Sequence, residues 1–448
     1  MLLLLLPIVL QNVITASVGM ADTVMLGRVD QQSLAASSLA GQVQFLLNVT
    51  YFGLASALTI LAAQYWGKGD GATISRILGI GLILSLLFSG TAALFALSMP
   101  ERVMRVWTNE QELIETGAKY LRLVAFSYLF AGFSQPYLAV MKSCGRVLLS
   151  TVISFITLGL NVMLNAVLIF GLFGCPQMGI QGAALATSIS RGVELMICLG
   201  DYLMQSIIPR GFMALFHIPG ALIRDFARYC LPAFINDALW GLAISVNAMI
   251  MGHLGSDIVA ANSVVSVVRE LVTTVGFGIS AASSIMLGRE IGVGDTALAE
   301  RDAAAILQVT IVTGIVGGAL LIGISPLVPG LVKISATSAV YLKWMLRINA
   351  VYQMGQIVNT LLISSFFRCG GDASYGLKLD FISMWCYTVP VGLIAAFVLR
   401  LSPLLVYVVM CTDEFVKMPF AMAHYKKRQW IKNLTRNFEE HELPNQEE

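Results

Sequence analysis

Charge is what this sequence has least of. Asp, Glu, Lys and Arg make up 12% of its 448 residues, about half the ~25% of a soluble globular domain. That shortage excludes a solvated surface over most of the chain, and with 57% hydrophobic residues it marks a polytopic membrane protein. The formal net charge is only +2, and the basic residues are scattered through short segments rather than gathered in a patch, so no nucleic-acid partner is expected. Six of the seven cysteines lie in or beside apolar runs and none forms a CxxC pair. This excludes a zinc site and a disulfide framework and leaves them as small packing residues. Histidine is also scarce: His217, His253, His424 and His441 fall at span ends and tails, without an HExxH, GxSxG or paired-histidine motif. An enzyme is therefore not expected, nor a cofactor. The opening MLLLLLPIVL has no basic leading region and its apolar character continues past Met20, so it reads as a first span rather than a signal peptide.

What the sequence does have is one apolar run after another. Windows of about 20 such residues, bounded by polar or Gly/Pro clusters, predict twelve spans. The first six fall near 2–27, 35–63, 75–99, 118–141, 147–173 and 181–205, and the second six near 227–252, 259–288, 303–326, 340–366, 375–399 and 402–422. The expected fold class is all-α, a multi-pass membrane protein of 12 transmembrane helices in two pseudo-symmetric six-helix lobes. Residues 1–205 form the N-lobe, 206–226 an interfacial linker, 227–423 the C-lobe and 424–448 a tail. Lys and Arg are denser in the segments that share a side with the termini, for example Lys68, Arg76, Lys142, Arg146, Arg368 and the cluster Lys426, Lys427, Arg428. That bias places both termini in the cytoplasm and the protein in the cell membrane.

The chain also repeats. A shift of 225 positions pairs Leu6-Pro7 with Leu231-Pro232, Gly27 with Gly252, Phe52-Gly53 with Phe277-Gly278, and Gly67, Gly69 and Asp70 with Gly292, Gly294 and Asp295. Over Leu6 to Asp70, 15 of 65 positions are identical without a gap. The matches concentrate at glycines, small residues and loop ends, where close approach and turns constrain the residue. An even number of spans per half makes these parallel repeats, an arrangement that places substrate between the halves of a transporter.

Against that background an acid inside a span stands out. Asp22 lies well within the first apolar run, LPIVLQNVITASVGMADTVMLGR. A charge near a helix centre costs ~2.5–3.5 kcal/mol on insertion scales and ordinarily faces a cavity, a partner or an ion. Asp22 is thus expected in the cation site of a secondary transporter; the plainer alternative is a carboxylate reaching the outer interface near Arg28. In the fifth span Asn161 and Asn165 stand four residues apart, on one helical face. Amide oxygens are hard ligands for an alkali cation, and amides equally join helices by hydrogen bonds.

At these residues the chain resembles a family. The stretches PIVLQNVITASVGMADTVMLGRV, GLASALTILAAQYWGKGD and NVMLNAVLIFGLFGCPQMGIQGAALATSIS, and RCGGD at Arg368 to Asp372, are similar to the multidrug and toxic compound extrusion (MATE) transporters, in family order along essentially the whole chain. The resemblance is to bacterial, Gram-positive-type members. It implies export of amphipathic, often cationic, small molecules by an antiporter driven by H⁺ or Na⁺; the expected partners are those small molecules and the lipid bilayer, and a monomer is expected. The family's N-lobe cation site, which would hold the Na⁺ or H⁺, falls on Asp22, Asn161, Asn165 and Thr187. Many relatives carry aspartate where Asn165 stands, which leaves Asp22 as the clear carboxylate of the site. The glutamate and aspartate of some Na⁺-coupled relatives fall on Trp240 and Gln356, so that second site is expected to be absent.

The C-lobe has acids of its own. Asp237 and Asp380 are candidates for a second acidic site, Asp380 with Lys378 nearby, while Asp413 and Glu414 have Lys417 within reach for a local ion pair. Trp240, Gln356, Phe277, Met354 and Tyr137 are candidates for an adaptable substrate cavity, although aromatic and methionine side chains more often pack helices. Pro7 and Pro232, related by the repeat, are hinge candidates. A lipid-linked oligosaccharide flippase of the same superfamily is the alternative function, disfavoured by twelve spans and few intramembrane cations. A channel is disfavoured by the duplication and the lack of a filter-like loop.

Overall fold

The computed structural model describes residues 11, 25–26, 28–29, 31–209, 211, 215–331 and 335–436. Among them all regular structure is helical. Five long helices come first: α1 (Gln31–Lys68), α2 (Gly71–Ser98), α3 (Gln111–Ser143), α4 (Val147–Phe170) and α5 (Ile180–Met204). A short helix, α6 (Gly220–Tyr229), precedes α7 (Leu231–Gly252), α8 (Ser256–Val293), α9 (Thr296–Ile324) and α10 (Ala336–Leu361). Helix α10 runs on into a π-helical turn, Leu362–Phe367. Helix α11 (Ala373–Phe381) continues through a second π turn, Ile382–Thr388, a helical stretch Val389–Leu393 and a third π turn, Ile394–Val398. The last apolar run forms α12 (Pro403–Met410) and α13 (Asp413–Lys426), broken at Cys411–Thr412. Nine helical stretches among the described residues are long and apolar enough to cross a membrane. The helices fall where hydropathy places spans two to twelve, and the fold is that of a 12-helix membrane protein.

The chain forms two compact units. One contains Leu10–Ala62 and Gly69–Ile223, the other Ala63–Lys68 and Arg224–Asn437. In the first, α3 packs against α2 and α5, and α4 against α5. Tyr51, Met104, Leu121 and Tyr128 form its core. In the second, α10 is central, lying against α8, α9 and α13. Its core is built on Phe366 and Phe367, with Trp430 stacked on Phe366 at 5.3 Å between ring centroids. Many leucines, valines and phenylalanines point outward, among them Leu87, Leu148, Val312 and Leu320. Such faces are stable only against lipid tails.

The repeat has a physical counterpart inside the second unit. A methyl group added at Gly67 would run into the Arg289 carbonyl oxygen, and one at Gly292 into the Gln64 carbonyl oxygen. These four positions are related by the same 225-residue shift, so the ends of α1 and α8 make one reciprocal backbone contact that only glycine permits. The turns that follow are equivalent too. Asp70 caps α2 by accepting from Thr73 N, and Asp295 caps α9 by accepting from Leu298 N, both at 2.9 Å.

Past α13 the chain crosses the RCGGD turn. Lys432 N donates to Gly370 O (3.1 Å), Gln64 Nε2 donates to Cys369 O (2.6 Å), and Gln64 Oε1 accepts from Leu434 N (2.7 Å). Arg436 closes the stretch with hydrogen bonds to Asp225 (2.9 Å) and Tyr65 (3.1 Å). The first part of the stretch expected as a tail, up to Arg436, therefore packs against the second unit.

Substituting alanine at Gly67 or at Gly292 should lower the melting temperature of the detergent-solubilised protein by similar amounts, through overpacking worth about 1–3 kcal/mol. Gly90→Ala, where nothing lies within 4 Å, should leave it unchanged. Thermal unfolding followed by tryptophan fluorescence checks all three.

Candidate functional site

In the first unit α4 and α5 are drawn together because Gly182 brings its backbone onto Leu168 and Ile169. That approach joins three of the four expected cation-site residues. Asn165 Nδ2 donates to Asn161 Oδ1 (3.2 Å), and Asn161 Nδ2 donates to Thr187 Oγ1 (3.4 Å). Both asparagines are buried. The result is a row of amide and hydroxyl oxygens running from α4 to α5, a hard-oxygen donor set suited to an alkali cation or to a protonated acid. Asp22 lies outside the described residues, as does Pro7.

The same unit holds two acids that reading by hydropathy passed over. Glu194 on α5 is 2% exposed and fully engaged: it accepts from Ser134 Oγ (2.5 Å) and Gln135 Nε2 (2.9 Å) and pairs with Arg191 (2.8 Å). Asp201, two turns on, takes a bidentate pair from Arg146 (2.7 and 2.8 Å) and the hydroxyl of Tyr137. Tyr137, expected in a substrate cavity, thus holds one end of an ion pair. Two acids seven residues apart in ELMICLGDYLM carry the same signal that singled out Asp22, an acid within a span.

The second unit carries a larger network. Asp237 on α7 meets Arg368, which follows the π turn of α10, through two hydrogen bonds of 2.6 and 3.0 Å. Arg368, read as a cytoplasmic loop charge, is 3% exposed. Asn236 Nδ2 donates to Asp380 Oδ2 (3.0 Å), and Lys417 Nζ donates to Asp380 Oδ1 (3.1 Å). Asp380 is thus paired with Lys417, 37 residues on. Lys417 also pairs with Glu414 at 3.0 Å, the local pair expected. Asn359 on α10 donates to both the main-chain and side-chain oxygens of Glu414 (2.6 and 2.8 Å).

Trp240 and Phe277 meet edge to face, ring centroids 6.1 Å apart. Met354 instead packs over Gly314 and Gly318 of α9. Gln356 is buried, and its Oε1 has no hydrogen-bond partner among the described residues. Pro232 sits in the first turn of α7, where its missing N–H removes no helical bond. Prolines do occur within helices, at Pro136 of α3 and Pro419 of α13. Among the described residues no three His, Cys, Asp or Glu side chains are grouped to hold a metal ion.

The MatE family matches the chain over residues 7–167 and 232–394, the two halves of the repeat. A relative from Thermotoga maritima described as a probable multidrug resistance protein, NorM, is 24% identical over 97% of this chain and 93% of its own length. A crystal structure of MATE in the bent conformation superposes with a TM-score of 0.85 at 18% identity, covering 95% of this chain and 94% of that one. A MOP superfamily transporter from Pyrococcus furiosus, reported with a binding pocket of reverse polarity suggesting a different function, superposes with a TM-score of 0.83 at 18% identity over 95% and 94%.

The Asp237–Arg368 pair yields a direct test. Asp237→Leu or Arg368→Met alone leaves a buried charge unpaired and should cost about 3–5 kcal/mol, whereas the double variant should recover most of that loss. A thermal-unfolding double-mutant cycle in detergent measures the coupling.

Proposed function

The chain belongs to the MatE family of multi-pass membrane transporters, and from that premise we propose that it exports amphipathic, often cationic, small molecules by alternating access, in exchange for H⁺ or Na⁺ at Asp22, Asn161, Asn165 and Thr187. One observation carries the reading. Gln11 donates to Ser154 of α4 at 2.7 Å, an offset of 143 residues. Leu26 packs in one cluster with Ile169 of α4 and with Ile180 and Ala183 of α5. The same offset takes Asp22 to Asn165, the first member of the asparagine–threonine row. This register supports a site in which one carboxylate meets two amides and a hydroxyl.

The chemistry follows from charge. An ionised Asp22 in low dielectric is costly, and a proton or a sodium ion removes that cost by neutralising it. A cationic substrate offers the same neutralisation, so drug and coupling ion compete for the carboxylate's field. Exchange results when the two ligands differ in their relative affinity for the inward-facing and outward-facing states. The amide row supplies oxygen ligands for Na⁺, and hydrogen-bonding partners for the protonated acid.

Export of a cationic dye from a drug-sensitive host tests the reading, in Na⁺-rich and Na⁺-poor media at matched pH. Asp22→Asn should fall to the level of cells lacking the transporter while reaching the membrane in normal amount. Asn161→Leu should weaken the coupling-ion response about tenfold or more, since an orphaned buried polar partner costs ~1–3 kcal/mol. Undiminished export by Asp22→Asn would overturn the assignment.

A further inference from the structure

Among the described residues, α10 and α13 of the second unit carry buried oxygens without hydrogen-bond partners. Asp413 opens α13, 3% exposed, and its buried Oδ1 has no hydrogen-bond partner among the described residues. Nearby, Asn359 is 1% exposed; its amide nitrogen is committed to Glu414, and its Oδ1 is likewise unpartnered. Gln356, one turn earlier on α10, presents a third such oxygen in Oε1. Three buried oxygens that lack donors are a chemical deficit, and a single proton on a carboxyl turns an acceptor into a donor.

The charges show the same deficit. Around Asp413 stand Glu414 and Lys417 on its own helix, Asp380 on α11, Tyr352 on α10, and Cys411 at the end of α12. Arg269 of α8 acts electrostatically on Tyr352 and Cys411. Lys417 is already divided between Asp380 (3.1 Å) and Glu414 (3.0 Å). Asp380, Asp413 and Glu414 therefore carry more negative charge than Lys417 neutralises, and a proton bound at Asp413 lowers that excess. The Asp237–Arg368 pair balances itself and adds nothing. The backbone is irregular at the same place. The last span is interrupted immediately before Asp413, where Thr412 Oγ1 donates to Val409 O (2.6 Å) and Tyr387 shares a hydrogen bond with Thr412 (3.0 Å). Interrupted helices within a membrane occur where ions or substrates bind.

We propose that Asp413 is a second proton-exchange site, built from α10, α11 and α13 and distinct from the Asp22 site of the other unit. Its carboxylate takes a proton from water to become a neutral acid, and returns that proton to water when the unit changes conformation. The link to transport rests on the carrier reading above, but the titration of Asp413 does not. Infrared pH-difference spectra of the full-length protein in lipid nanodiscs test it, between mildly acidic and mildly alkaline pH. The wild type should gain a buried carboxylic-acid C=O band on acidification. Asp413→Asn should lose one carboxyl's worth of that band and keep its melting temperature, Asp413→Glu should retain the band at a shifted frequency, and Asp22→Asn should retain the Asp413 contribution. A band unchanged in Asp413→Asn overturns the proposal, as does a wild-type spectrum without one. In proteoliposomes Asp413→Asn should export dye with a flattened dependence on pH. Should the wild type export no cationic dye under any gradient, the carrier reading falls while the infrared result still decides Asp413.

Discussion

Holding a charge away from water is the constraint on which the rest of this structure depends. Within a span there is no solvent to screen an ion, so each carboxylate has to be neutralised or met by donors from another helix. Arg368 meets Asp237 across 131 residues of sequence, Lys417 meets Asp380 across 37, and Asn236 meets Asp380 across 144. These links tie α7, α10, α11 and α13 in one register. Their contribution is specificity more than net stability, because an ion pair of this depth roughly repays its own desolvation. An apolar helix could slide or rotate against its neighbours at small cost; a helix carrying Asp380 has one position that serves both Asn236 and Lys417.

The duplication shows which parts of the design were fixed and which were free to diverge. Gly67 and Gly292 are retained because each lies on a carbonyl of the other helix, and Asp70 and Asp295 because each caps the helix after the turn. The residues that carry chemistry did not stay paired. Asp22 corresponds to Asn247, Asn12 to Asp237, and Trp240 to Thr15. Backbone geometry was conserved between the halves while ionisable groups were redistributed, so the two units share an architecture and differ in electrostatics.

The sequence made the helices legible and the partners illegible, for different reasons. A helix crossing a bilayer must be apolar for about 20 residues, a local property, and the reading of 75–99 against Gly71–Ser98 or 147–173 against Val147–Phe170 differs by a few residues at the ends. The repeat was legible because glycine contacts and caps leave identities behind. The pairing of Asp380 with Lys417, or the burial of Arg368 by Asp237, has no local trace. Both depend on how distant helices meet. Hydropathy also ran through Cys411–Thr412 without registering the break, because the flanking residues VVM and FV keep the average high. The row from Asn165 through Asn161 to Thr187 was half legible: spacing put the asparagines on one face, and family resemblance alone supplied the threonine.

The two units also differ in how firmly they hold their polar groups. Asn161 and Asn165 sit inside an uninterrupted α4, and Thr187 inside an uninterrupted α5, a scaffold that fixes donor positions. In the second unit α10, α11 and the last span leave regular geometry beside residues of the polar network. Helix α10 turns π-helical three residues after Asn359, α11 does so two residues after Asp380, and the last span breaks directly before Asp413. A π turn or a break has already given up part of the hydrogen-bond ladder, so a change in side-chain charge there can move backbone without disrupting a complete helix. In the first unit the described polar row rests on regular helices; in the second the network stands beside backbone that has already left the regular ladder.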